Sequence, residues 1–171
     1  MAGFKTIADE RIRLDVLQVA GEVDLRNLKV TDLAGAVKVS CHILKQDYAL
    51  GATGQATVAE IEMCKPGEGQ APGAITYAGS VTIPRYLTDA GIPDAEADFA
   101  YELFRTPGTQ LVLVEREGPL ESAAWATGQE YSAYEVTTLA PIPPSDRFAG
   151  YIKRQVPLAI GSAFSGVIAA S

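Results

Sequence analysis

Apolar and polar residues alternate along several separate stretches of this chain, and a two-residue period buries one face only when the chain is a strand in a sheet. Ile12, Leu14 and Val16 alternate with charged neighbours. From Gly35 the pattern is clean: Val37, Val39, Cys41 and Ile43 alternate with Lys38, Ser40 and His42, which predicts a half-buried strand. Val58 to Cys64 (Val-Ala-Glu-Ile-Glu-Met-Cys) alternates again. Further strands are expected over Ile75 to Leu87, rich in Thr, Tyr, Val and Ile, at Leu111-Val-Leu-Val114, over 131–139 and over Lys153 to Phe164. One helix is expected, from Pro93 or Asp94 to Thr106. Ala97, Ala100, Tyr101 and Phe104 share one face of it, and Pro107-Gly108 stops it. With one helix among so many strands, the expected fold is mostly β (α+β): an antiparallel sandwich or barrel with one helix, a long hairpin loop and extended termini.

Glycine and proline mark the connections. Residues 45–56 hold Gly51 and Gly54 between two alternating runs, so they read as the oversized loop of a long hairpin, Val37 to Cys64. Lys65 to Gly73 reads as a second loop. No internal repeat divides the chain. The expectation is one domain over 1–171, with an N-terminal arm at about 1–10 and a C-terminal arm at about 159–171.

Composition narrows the function. A chain of 171 residues, 47% hydrophobic and 20% charged, buries a core without metals or disulfides. A net charge of −7 argues against a protein that works by neutralising phosphates. Cys41 and Cys64 are too few for a disulfide scaffold and read as small buried thiols. Residues 1–10 lack the apolar core of a signal peptide, and no stretch reaches the ~18 apolar residues of a membrane helix. The chain is expected to fold in cytoplasm with no membrane destination.

Catalytic signals are sparse, and neither an enzyme nor a cofactor is expected. His42, the single histidine, reads as a surface imidazole; its strand neighbour Cys41 points to the other face. One His and two Cys do not make an ordinary zinc site. Gly51 to Thr57 echoes a phosphate loop without its lysine or following helix. Glu60 with Glu62, and Glu115 with Glu117, are acid pairs on strand faces and read as solvated. Trp125 reads as core, with an interface anchor as the alternative. Glu60, Glu62 and Glu135 are expected to share an acidic wall, whereas Arg147, Lys153 and Arg154 make the end of the chain basic. A chain so polarised suits head-to-tail joining of its own copies.

The order of these elements resembles the tail tube (major tail) proteins of long-tailed, siphovirus-like phages, of an actinobacteriophage-like kind. The resemblance rests on the hairpin Val37 to Cys64, on the helix Pro93 to Thr106 before Leu111-Val-Leu-Val114, and on the ending. There Tyr134-Glu-Val-Thr-Thr-Leu-Ala-Pro141 leads to Tyr151-Ile-Lys-Arg-Gln-Val-Pro-Leu158. It spans most of the chain as pattern, not as a short motif, and Arg11 to Leu33 matches no element of the family.

The resemblance implies a virion structural protein whose copies form hexameric rings, closed by a shared inner β-barrel and stacked into a tube. The tube would surround a tape-measure protein and later pass double-stranded DNA. A tail terminator and distal tail or baseplate proteins are the implied further partners. In that setting Gln46, Asp47, Tyr48, Leu50, Gly51 and Gly54 would form an inter-ring loop. Glu60 and Glu62 would face an acidic lumen that repels DNA. Lys153, Arg154 and Phe164 would belong to a subunit-interface arm. A contractile-type inner tube subunit and a tail-completion or baseplate ring protein are alternatives of the same kind. A monomeric small-ligand-binding β-barrel is the alternative from another class.

Overall fold

In the computed structural model, residues 8–18, 23–61, 63 and 68–170 are described. Seven strands and one helix follow in the order β1 (Ile12–Gln18), β2 (Val37–Lys38), β3 (Ala49–Ile61), β4 (Glu68–Pro84), α1 (Phe99–Phe104), β5 (Gln110–Glu117), β6 (Glu130–Thr138) and β7 (Lys153–Val167). All pair antiparallel in one sheet of order β2-β1-β5-β6-β7-β4-β3. The mostly-β expectation with one helix is met, and the strands form a single hydrogen-bonded sheet where a sandwich would have two.

That sheet curls. Three strands separate β1 from β4 in the order, yet the segment between β2 and β3 bonds to both: Val39 N–H donates to the Leu14 carbonyl of β1 at 3.0 Å, and Leu44 N–H to the Thr82 carbonyl of β4 at 2.9 Å. The connection therefore closes the open side of a barrel-like curl. Its interior is filled by Leu14, Val16, Val39, Val81, Ile83, Leu111, Leu113, Val136, Val156 and Leu158, with Ala100 and Phe104 of α1 against them. The opposite face of β1, β5 and β6 carries a second cluster, in which Leu17, Val112, Val114, Tyr131 and Ala133 pack under Leu25, Leu28, Leu33, Trp125 and Ile168. Strands β1, β5 and β6 thus bury both faces, which is why Leu111 to Val114 reads as an unbroken apolar run.

Several expectations are corrected. The alternation of residues 37–43 is not a strand throughout: only Val37–Lys38 pair, and Ser40–His42 form a 3-10 turn. Ser40 Oγ accepts from Leu14 N–H at 2.8 Å, so a side chain takes the place of the ladder. Residues 45–56 are not a loop. Lys45–Asp47 make a second 3-10 turn, and Ala49 onward is strand β3. The long hairpin is consequently β3–β4. Its ladder is built by backbone groups, which glycine and alanine supply as well as any residue.

Helix α1 is shorter than Pro93 to Thr106, because Asp94 Oδ1 folds back on the N–H groups of Glu96 and Ala97. The arm expected at 159–171 is mostly strand, since β7 runs to Val167 against β6. At Gly161 that pairing skips a residue, so Ile160 faces the interior while Ser162 and Phe164 turn to the other face. Residues 1–7 of the expected N-terminal arm lie outside the described residues. Ala8 to Glu10 are bound to the sheet end, with Glu121 N–H donating to Glu10 O at 2.7 Å. Cys41 is exposed, not buried; Cys64 lies outside the described residues. His42 is half-buried, its ring edge-on to Phe99 with centroids 4.6 Å apart.

Candidate assembly interface

The most distinctive part of the surface is made of strand edges. Strand β4 pairs with β7 only over Gly79–Pro84 against Lys153–Leu158. Upstream of Gly79, β4 has β3 as its one partner; downstream of Leu158, β7 has β6 as its one partner. The sheet forks at Gly79, and beyond it β3 and β4 form a two-stranded ribbon. From Ala52 to Ile61 this ribbon extends for ~30 Å at about 3.3 Å per residue. Ala52 to Ala59 are all exposed, as are Ala71, Pro72, Ala74, Ile75, Thr76 and Ala78.

Apart from the end of the sheet formed by β1 and the two-residue β2, three strand edges are left without a partner strand among the described residues: the outer edge of β3, the β4 edge upstream of Gly79, and the β7 edge from Ala159 to Val167. Charge is absent from most of the length of these edges. Ala49 to Ala59, Gly69 to Pro84 and Gln155 to Ala170 contain no Asp, Glu, Lys or Arg. Edge strands of monomeric proteins ordinarily carry inward-pointing or flanking charges that prevent pairing with another chain.

The ribbon is rooted in the core. Tyr48, immediately before β3, points into the curl and donates its hydroxyl to Glu115 Oε2 of β5. Burial holds the Tyr48 hydroxyl well above the ordinary range, and the Glu115 carboxylate adds to the rise. Burial likewise pushes the Glu115 carboxyl up against the pull of the Tyr48 hydroxyl, and neighbouring Glu117 adds to it. The pair Glu115 and Glu117 is therefore not a plain solvated face. Leu50 and Ile160 flank the fork, and a Cβ on Gly79 would stand 3.1 Å from Leu50 Cδ1 and 3.2 Å from Ile160 Cδ1.

Exposed large apolar side chains gather at the two ends of the sheet, Val23 apart. One end carries Tyr86, Leu87 and Ile92 after β4, and Leu139, Ile142, Phe148, Tyr151 and Ile152 in the β6–β7 connection. The other carries Ile12, Leu120 and Val167, and the ribbon continues beyond it with Val58, Met63 and Ile75. Below Leu120, residues 119–129 are fastened by charge. Arg116, fully buried, donates to the carbonyls of Leu120, Ala123 and Ala124 and to Gln129 Oε1 at 2.9–3.0 Å. Burial, with Arg13 adding to it, lowers the Arg116 pKa. Asp15, also fully buried, accepts both from Arg13 Nε, at 2.9 and 3.1 Å, and from Trp125 Nε1 at 2.5 Å. Trp125 is core, 8% exposed.

The residues singled out from sequence are dispersed by this geometry. Gln46 and Asp47 sit in the 3-10 turn, Tyr48 packs on the core, and Leu50, Gly51 and Gly54 are in β3, so these residues do not form a loop. Glu60 lies in β3 opposite Gly69, and Glu62 lies outside the described residues. Lys153 is buried and ion-paired with Asp146 of its own chain, Arg154 is half-buried, and Phe164 packs on the second cluster under Arg26 at 5.3 Å. The Arg13–Asp15–Trp125–Arg116 cluster had no sequence signal, because Arg13 and Asp15 occupy the polar phase of the β1 alternation.

An open groove of about 650 Å³ lies outside the curl between α1 and the ends of β1 and β5, lined by Gln18, Phe99, Leu103 and Leu111 among others. The described residues contain no group of three His, Cys, Asp or Glu arranged to hold a metal. Among the described residues, no helix is long and apolar enough to cross a membrane. A filled interior and long, largely uncharged strand edges characterise this β-protein. A family model described as "Phage tail tube protein" matches residues 1–171, and the chain belongs to that family, whose members are structural components of the virion tail. No curated protein matches the chain.

Proposed function

We propose that this chain is the repeating subunit of the hollow tail tube of a siphovirus-like phage, and that copies close hexameric rings by pairing their open strand edges. The supporting observation is the coincidence of edge and composition: the outer edge of β3, the upstream part of β4 and the downstream part of β7 lack a partner strand there, and only Glu60 and Glu68, at the far end of the ribbon, are charged. Pairing with a neighbour would satisfy those N–H and C=O groups and bury a ribbon that is marginal alone in water. Continuing the sheet from subunit to subunit also removes every edge, as closure of a barrel does.

The rings stack into a tube around a tape-measure protein and later pass double-stranded DNA. A tail terminator and distal tail or baseplate proteins cap the ends, and assembly takes place in the host cytoplasm. Glu60 and Glu62 face the lumen in this reading, where like charge keeps DNA from adhering. The test is negative-stain electron microscopy of the purified full chain, concentrated at near-physiological salt. Rings or hollow tubes are expected. Compact monomers at every concentration, with amide exchange showing the β3–β4 ribbon protected in the monomer, would refute the proposal.

A further inference from the structure

We propose that the aromatic tip of the β6–β7 connection, Phe148 with Tyr151 and Ile152, is the receiving surface for the β3–β4 ribbon of a second copy, so that subunits join end to end. This rests on the tube reading above and names the axial contact that reading leaves open.

The tip is a built feature. Phe148 is 89% exposed and Tyr151 75%, yet the turn that presents them is tied down on several sides. Lys153 is buried and ion-paired with Asp146, Ala149 N–H donates to Asp146 O at 2.9 Å, and Arg147 N–H to Pro144 O at 3.1 Å. Ile142 and Gln155 exchange backbone hydrogen bonds at 2.8 and 2.9 Å, and Arg85 N–H donates to Ile152 O at 2.7 Å. That last bond sets the tip beside Leu87 and Ile92, widening the apolar surface. Aromatic side chains held out by an ordered turn lose little further freedom on binding, the property that makes rigid aromatic anchors effective in interfaces.

The occupant follows from position and charge. The tip adjoins the end of β4, whereas the ribbon is the beginning of β4. The chain therefore carries two different exposed apolar surfaces at opposite ends of one strand, the arrangement of a heterologous contact that repeats in one direction. Joining two tips face to face would set Arg147, whose guanidinium lies 4.8 Å over the Phe148 ring, and Arg154 against their own copies. Joining tip to ribbon sets them against the uncharged spans Ala52 to Ala59 and Ala71 to Ala78, with no like charge opposed. Val58 and Ile75 are the half-exposed apolar side chains the ribbon offers to Phe148 and Tyr151.

The experiment uses the full chain with Cys41→Ser and Cys64→Ser to remove native thiols. Phe148→Cys is combined with Val58→Cys or, separately, with Ile75→Cys, and each protein is oxidised after assembly. Non-reducing electrophoresis should show a ladder of covalent multimers from at least one pair, and only monomer from the single-cysteine halves oxidised alone below the assembly concentration. In parallel, Phe148→Ala/Tyr151→Ala should leave the monomer's unfolding midpoint unchanged and give rings that do not elongate, with the concentration for tube formation raised at least tenfold. Tubes at the wild-type concentration from that variant, or tubes from both cysteine pairs without a ladder, would overturn the tip-to-ribbon contact while leaving the tube reading intact. A wild-type chain that forms neither rings nor tubes would overturn both.

Discussion

Replacing Val58 and Ile75 by serine separates folding from assembly. Both residues stand on the ribbon beyond the fork, 52% and 45% exposed, with β3 and β4 paired only to each other there. In the monomer, water already covers about half of each side chain, and exposed substitutions of this kind shift stability by ~0.5 kcal/mol or less. In an assembly that covers the ribbon the loss is larger. Full burial of a Val or Ile side chain is worth ~1.5–3 kcal/mol, so hiding the remaining half contributes ~0.8–1.5 kcal/mol each and ~1.5–3 kcal/mol for the pair. At ~1.4 kcal/mol per tenfold, the double variant should need a roughly 10- to 100-fold higher concentration to assemble. Sedimentation against protein concentration measures that threshold, and urea unfolding below it measures the monomer. An unchanged threshold with an unchanged monomer would mean that the ribbon stays in water after assembly. A monomer weakened by more than 1 kcal/mol would mean that it packs on its own chain.

Other substitutions probe the body that holds these edges. Asp15→Asn leaves Arg13 and buried Arg116 without their carboxylate and weakens the Trp125 hydrogen bond; a loss of ~3–5 kcal/mol in urea unfolding is expected, and below 1 kcal/mol the charge would be irrelevant to the cluster. Gly166→Ala places a Cβ 2.9 Å from the Tyr131 hydroxyl, which is fixed to Leu25 O at 2.9 Å, so overpacking should cost ~1–3 kcal/mol by thermal or urea unfolding. Because the folded-state pKa of Glu115 lies above its ordinary 4.5, its protonated form favours the fold, and that contribution is complete below pH 4.5 and lost as pH rises through the raised value. Glu115→Gln should therefore flatten the decline in urea midpoint between pH 4.5 and 7.5, and an unaltered profile would place the pH dependence elsewhere.

Where polar residues occupy one phase of a strand, alternation was legible: β1, β6 and most of β7 fall where period two puts them. The unbroken apolar run Leu111 to Val114 was legible as a buried strand for the converse reason, since β5 has core on both sides. The misreadings also have physical causes. Val37 to Ile43 alternates because Val37, Val39 and Ile43 still point into the curl, but Ser40 satisfies Leu14 and turns the backbone. From Ala52 to Ala59 no residue packs on either core cluster, so the sequence there retains no periodicity and, with Gly51 and Gly54, looks like a loop. The strands that best characterise the surface were thus the hardest to see, since what would order their side chains is absent from the single chain. Lys153 was misassigned for a related reason: a basic residue near the end of a chain reads as exposed, and only the fold brings Asp146 to it.

The distribution of charge gives these features a common cause. Strands β1 and β5 bury both faces and still carry Arg13, Asp15, Glu115 and Arg116, each engaged with a partner inside the chain. Strands β3, β4 and β7 are relieved of core on much of their length, where solubility alone would favour charged residues, yet over the spans that lack a partner strand only Glu60 and Glu68, at the far end of the ribbon, are charged. Residues chosen for a soluble monomer would show the reverse pattern, with neutral side chains inside and Lys or Glu along each open edge. A lysine at Ala159 on the β7 edge would cost the monomer little by this logic, because Ala159 is exposed. Pairing with a neighbour's strand, as proposed above, would exclude it and account for the neutrality of the edge.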